Sequence, residues 1–124
     1  MNALVRAATE AGLHRAIVAF LDLALPPDVV VYHVPNGELR HRAVAGRLAG
    51  LGVRAGVPDL AVIHRGRALF LEVKAPGGRL SPAQRETHAA LVAAGAKLAV
   101  VRDIEDAIAA LAGWGVPLRA RAAA

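Results

Sequence analysis

The 124-residue chain contains no cysteine, one tryptophan, and only two lysines, Lys74 and Lys97, among its fifteen basic residues. Without cysteine, disulfide scaffolds, Cys-ligated zinc and thiol catalysis are excluded, and the expected compartment is the cytoplasm. No apolar run reaches the ~18 residues that a membrane helix needs, because Arg, His, Asp or Pro interrupts each one, so no membrane partner is expected. The first fifteen residues lack a basic stretch followed by an apolar block and are read as carrying no signal peptide. There is no P-loop and no Gly-rich nucleotide loop, which counts against a hydrolase of small phosphorylated molecules.

What is present is an apolar chain with a strong basic bias. Hydrophobic residues make up 56% of it, enough to build one core and to exclude disorder. The net charge is +5, carried mainly by arginine. Arginine suits bidentate phosphate recognition, so a polyanion is the first partner to consider.

The periodicities predict one domain over 1–113 and a C-terminal tail over 114–124, with residues 118–124 frayed. Residues 3–25 read as a helix, with Leu13, Ile17, Val18 and Leu21 on one side and Pro26-Pro27 as the stop. The β-branched run Val29 to Val34 reads as a strand, closed by Pro35-Asn36-Gly37. A turn role accounts for Asn36-Gly37, and His33 stands at the strand end. Residues 39–50 have helical propensity and a basic face. Leu60–Ile63 and Ala68–Val73 are two apolar runs separated by a short Gly-containing turn, a hairpin pattern. Ser81-Pro82-Ala83-Gln84 has the form of a capping box with Pro at the first helical position, and Gly95 suits the C′ position that ends that helix. Lys97 to Val101 reads as a strand, and Asp103 caps a last helix that ends near Gly113. The order α-β-(α)-β-β-α-β-α predicts an α/β fold, a small mixed sheet covered on both sides.

The hairpin carries the chemistry. If Arg65-Gly66 is its two-residue loop, His64 faces Arg67 and, counting outward, Asp59 faces Glu72. Cross-strand partners share a face with Cβ atoms ~5 Å apart, and Lys74, two residues past Glu72, falls on that face too. Two carboxylates this close repel unless a cation or a proton lies between them. Carboxylate oxygens are the preferred ligands of Mg²⁺, which keeps several waters and accepts phosphate oxygens. A neighbouring lysine can orient a water and stabilise a phosphorane-like transition state. The competing reading is a solvated strand end, with Asp59 as a turn residue after Pro58.

Pro58-Asp59, twelve intervening residues, and Glu72-Val73-Lys74 resemble the PD-(D/E)XK motif of restriction-endonuclease-like nucleases. The surroundings narrow the resemblance to the VRR-NUC branch in its small stand-alone bacterial or phage form. They are Gly52 to Leu60 with its Gly-x-Pro-Asp, the Glu-x-Lys, then Gly78 to Gln84 with its Ser-x-x-Gln, then Ala94-Gly95-Ala96. The resemblance implies a restriction-endonuclease-like core, a four-stranded mixed sheet flanked by helices. It implies DNA phosphodiester hydrolysis with Mg²⁺ or Mn²⁺, one or two ions per site. By carry-over, Asp59, Glu72, the Val73 carbonyl and Glu10 would ligate the metal, and Lys74 would position or activate the attacking water. The family commonly has Gln four residues after that helix Glu, where this chain has His14.

Several residues have two readings. Glu10 is either part of the metal cluster or an exposed residue paired with His14 one turn on. Gln84 is explained fully by the capping box, while the resemblance places it beside the active centre. Arg40, Arg42, Arg47 and Arg54 are read as contacts to DNA phosphates, against a solvated basic face, and His88 as a further contact to DNA. His64 reads as an exposed histidine at the hairpin apex, and Trp114 as a packing residue. The expected protein is a metal-dependent DNA endonuclease directed to junctions or other branched DNA, acting as a homodimer because cutting two strands needs two active sites. The alternative is a DNA-binding accessory module that keeps the fold without cleaving.

Overall fold

A computed structural model describes residues 9–35 and 42–119. Its elements are α1 (Glu10–Ala24), β1 (Val29–His33), α2 (Arg42–Gly50), β2 (Leu60–His64), β3 (Arg67–Val73), α3 (Pro82–Ala93), β4 (Lys97–Val101) and α4 (Ile104–Gly113). The order matches the expectation, and the helix predicted from residue 3 is seen from Glu10 onward.

Each element starts and stops for a local reason. The Thr9 hydroxyl caps α1 by accepting the Gly12 amide at 3.1 Å. Leu25 turns extended before Pro26 and ends that helix. In the β2–β3 turn, Arg65 and Gly66 both have positive φ, 51° and 75°. That is the geometry that matches the right-handed twist of a two-residue hairpin. At α3, Ser81 accepts the Gln84 amide at 3.1 Å and the Gln84 side chain accepts the Ser81 amide at 2.8 Å, so the capping box is complete. Asp103 caps α4 through the Asp106 amide at 2.7 Å.

The sheet order is β1-β2-β3-β4. The first two pairings are antiparallel and β3–β4 is parallel, joined by the α3 crossover. Alternation along the strands sends Leu60, Val62, Leu69, Leu71, Val73 and Val101 into one core with Ile17 and Leu21 of α1 and Ala107 and Leu111 of α4. The opposite face, carrying Ala61, Phe70 and Glu72, receives α3. It is less fully covered than expected: on edge strand β1, Val30 and Tyr32 stand exposed.

Two readings of the chain's periphery are corrected. His64 is buried, not exposed at an apex, because its parity along β2 is that of Leu60 and Val62. Its Nδ1 accepts from Arg67 at 2.9 Å, and the same guanidinium donates to the Trp114 carbonyl at 2.6 Å. Leu118, read as part of a frayed end, packs on the core, and the Arg119 amide donates to the Ala24 carbonyl at 2.7 Å. Trp114 packs on the core as expected.

Candidate active site

The hairpin register is the one that the sequence predicts: Leu60 pairs with Leu71 and His64 with Arg67. One step outward, Asp59 stands beside the β3 end. Its side chain accepts the Val73 amide at 2.8 Å. Its backbone carbonyl accepts the Val34 amide at 2.9 Å and the His33 Nδ1–H at 2.9 Å. A carbonyl can only accept, so His33 carries its proton on Nδ1. Asp59 is therefore held from both sides, by the end of β1 and the end of β3, and the residue before it, Pro58, is buried.

Glu72 is 1% exposed, which is unusual for a carboxylate and requires compensation. Its Oε1 lies 2.8 Å from Nε2 of His88, which is itself buried on α3. Burial, above all, and then the hydrogen bond and negative charge of Asp59 push the Glu72 pKa up to about 9, against the pull of Lys74. Burial and the Lys74 charge push His88 down from the ordinary histidine range. The two carboxyl groups thus share a space that needs a proton or a cation.

Lys74 is also buried, at 8% exposure. Its amide donates to the Val101 carbonyl at 3.0 Å, continuing the parallel ladder one residue past β3. Its Nζ lies 3.9 Å from Oε1 of Glu10, which reaches over from the first turn of α1. The solvated-strand-end reading does not hold: Glu72 and Lys74 are both in the interior. Next to Glu10, an open cavity of about 400 Å³ is lined by Ala11, His14, Arg15 and His33 as well. The rings of His14 and His33 meet edge to face, 4.5 Å between centroids. Burial and then His33 lower the His14 pKa, while Asp59 and Glu10 work the other way.

The donor set suits a hard divalent cation. Asp59 and Glu72 offer carboxylate oxygens. In an extended strand the N–H and C=O of one residue point to the same side, so the Val73 carbonyl is turned toward Asp59 along with its amide. No cluster of three His, Asp or Glu side chains with metal-binding geometry occurs among the described residues.

The remaining sequence candidates separate. Gln84 spends its side-chain oxygen on the Ser81 amide. His88, read as a DNA contact, is 7% exposed and faces Glu72 instead of the surface. Arg54 and Arg47 are exposed. Arg40 lies outside the described residues, as do Asn36 and His41, and of Arg42 only the backbone is described, at the start of α2. The loop bearing Arg54 is fixed on α3: Thr87 Oγ1 donates to the Ala55 carbonyl at 2.7 Å. Gly56, at φ +82°, lies so close that a Cβ there would stand 2.1 Å from the Ala83 carbonyl oxygen. Sequence reasoning missed Arg102, whose guanidinium donates to the Ala75 and Gly78 carbonyls at 2.8 and 2.9 Å and so fixes the loop after Lys74. No local sequence signal marks that contact.

Half-buried Asp59 and buried Glu72 and Lys74 thus meet at the open end of a hairpin, in the four-stranded mixed sheet of an α/β fold. The comparisons give the family. The VRR-NUC domain profile matches residues 16–103, and the chain belongs to the VRR-NUC family. It is 41% identical over 80 residues to p44, a protein named as a candidate nuclease, of Acyrthosiphon pisum secondary endosymbiont phage 1; the match covers 64% of this chain and 84% of that protein. Two solved structures share the fold. One, titled as a VRR_NUC domain protein, has a TM-score of 0.60 at 21% identity and covers 84% of this chain and 85% of that one. The other, titled VRR_NUC domain, has a TM-score of 0.56 at 23% identity, with 85% and 95% covered. No helix among the described residues is long and apolar enough to cross a membrane.

Proposed function

We propose that the chain is a metal-dependent DNA endonuclease that hydrolyses phosphodiester bonds at the Asp59–Glu72–Lys74 site. One observation carries this reading: Glu72 is 1% exposed and in contact with a second carboxyl, Asp59, an arrangement that calls for a shared proton or for a cation in its place. Asp59, Glu72 and the Val73 carbonyl would hold Mg²⁺ or Mn²⁺. Bound there, such an ion would supply Lewis-acid polarisation of the phosphodiester. The Lys74 ammonium orients the attacking water and donates to the charge that develops on the phosphoryl oxygens. Glu10 faces Lys74 from the α1 side at 3.9 Å and would join the metal ligands. Gln84 acts through the cap, setting the start of α3. Arg47, Arg54 and, by position, Arg40 and Arg42 bind backbone phosphates.

The chain supplies one such site. Cutting both strands of a branched or duplex DNA takes two, so a homodimer with two sites related by two-fold symmetry is the proposed working form, and branched DNA such as a four-way junction the proposed substrate. Leu51 and Val53, exposed in the segment after α2, mark the face proposed for contact between copies. The test is cleavage of labelled junction, flap, duplex and single-stranded DNA with Mg²⁺, Mn²⁺ or EDTA, beside sedimentation of the free protein. Metal-dependent cutting by a dimer supports the reading. Binding without cutting in any metal moves it to a non-cleaving accessory module.

A further inference from the structure

The His88–Glu72 pair joins the proposed site to α3. Both residues are buried, and the 2.8 Å contact joins the middle of α3 to the sheet. Neither the motif nor the phosphate-binding arginines assign His88 a role. Burial of Glu72 calls for a hydrogen-bond donor, but the donor is placed selectively. It engages Oε1 at 2.8 Å, so a cation that displaces the proton shared with Asp59 would meet the carboxylate at Oε2. It also fixes the rotation of the carboxylate about its last torsion, which for Glu is otherwise broad.

α3 is held rigidly enough to aim the imidazole. The capping box fixes its first turn, and Gly56 packs on the Ala83 carbonyl. Thr87, the residue before His88, donates to Ala55. The helix is thus fastened to the loop that leads into Asp59 and, one residue later, to Glu72. The helix thus touches Glu72 directly and bears on Asp59 only through the loop that precedes it.

We infer that His88 is a positioning residue for the metal centre, donating from Nε2 to Glu72 Oε1 so that Glu72 meets a divalent cation through a single, fixed oxygen. The inference rests on the proposed metal-dependent reading. Outer partners of this kind typically change metal affinity 10–100-fold when removed. It differs from a DNA-contact role, which would show in DNA affinity, and from a packing role, which would show in stability alone.

The experiment is titration of Mn²⁺ alone into the full chain by calorimetry, for wild type, His88→Leu and His88→Gln. DNA affinity is measured in EDTA and thermal melting in parallel. Glutamine places an amide N–H where the histidine Nε2 lies. The expected result is about 10–100-fold weaker Mn²⁺ binding for His88→Leu, most of it restored in His88→Gln. DNA affinity in EDTA stays unchanged, and the kcat for cleavage falls with KM for DNA unaltered. If the Leu variant fails to fold, His88→Asn takes its place, since its amide stops short of Glu72. A folded His88→Leu or His88→Asn chain that binds Mn²⁺ like wild type overturns the inference, as does a Gln variant no better than they are. A wild-type chain that binds no Mn²⁺ and cleaves nothing overturns the metal-dependent reading and this inference with it.

Discussion

The Asp59 carboxylate accepts the Val73 amide at 2.8 Å. That bond ties the residue before β2 to the end of β3, between the two residues that carry the rest of the chemistry. Asp59 thus has a structural task as well as a proposed catalytic one, and the two are separable. Asparagine keeps an oxygen for the Val73 amide, so Asp59→Asn retains the fold and loses cleavage; a gain in metal-free stability is expected only as pH rises toward the Glu72 pKa of about 9, where both carboxyls of the wild type become charged and repel. Asp59→Ala strands a buried amide and costs about 1–3 kcal/mol in addition. Urea denaturation of the two variants in EDTA measures the difference.

Stability of the metal-free protein depends on the proton that Glu72 holds. Its pKa is about 9 in the folded chain, against 4.5 for an ordinary glutamate. A folded-state pKa raised this way means that the native chain binds the proton more tightly than the unfolded chain does. The contribution is full below the unfolded value and is lost as pH rises through the folded one. Melting temperature in EDTA therefore falls across that interval, and Glu72→Gln removes this part of the slope. Mg²⁺ needs the deprotonated carboxylate, so its stabilising effect grows with pH. Thermal melts at a series of pH values, with and without Mg²⁺, read both trends.

Gly56 and Gly52 both have positive φ, at +82° and +97°, yet they predict different outcomes. An alanine at Gly52 meets open space and carries only the backbone cost of about 1–2 kcal/mol. An alanine at Gly56 collides with the Ala83 carbonyl and must part the Arg54 loop from α3. The expected loss is larger, roughly 3 kcal/mol or more, with cleavage lowered because Asp59 follows three residues on. Chemical denaturation of both variants distinguishes them.

DNA affinity falls steeply with salt if the exposed arginines hold phosphates. Arg54→Ala lowers the slope of log K against log salt by about 1 and weakens binding alike for every sequence. Fluorescence anisotropy in EDTA over a salt series gives the slope. An unchanged slope assigns Arg54 to a solvated loop.

Much of this was legible in the residues. The Arg65-Gly66 turn pins the register, and the register alone brings Asp59 opposite Glu72. The capping box at Ser81 and Gln84 follows from four adjacent residues. The contacts that escaped are long-range. His88 meets Glu72 only because α3 crosses the sheet at one particular rotation, and helical periodicity leaves that rotation open. His64 differs for a related reason: nearness to a turn suggests exposure, while its parity with Leu60 and Val62 puts it in the core. Arg102 looks like any surface arginine until the loop after Lys74 folds back over it.

The central claim is that Glu72 holds a catalytic metal. The most direct measurement compares wild type with Glu72→Gln: single-turnover cleavage of a four-way junction in Mg²⁺, with DNA binding in EDTA as the control for folding. The account predicts Mg²⁺-dependent cleavage by wild type, abolished in Glu72→Gln, with equal DNA affinity. Cleavage that persists in a folded Glu72→Gln chain, or that wild type carries out unchanged in EDTA, contradicts it.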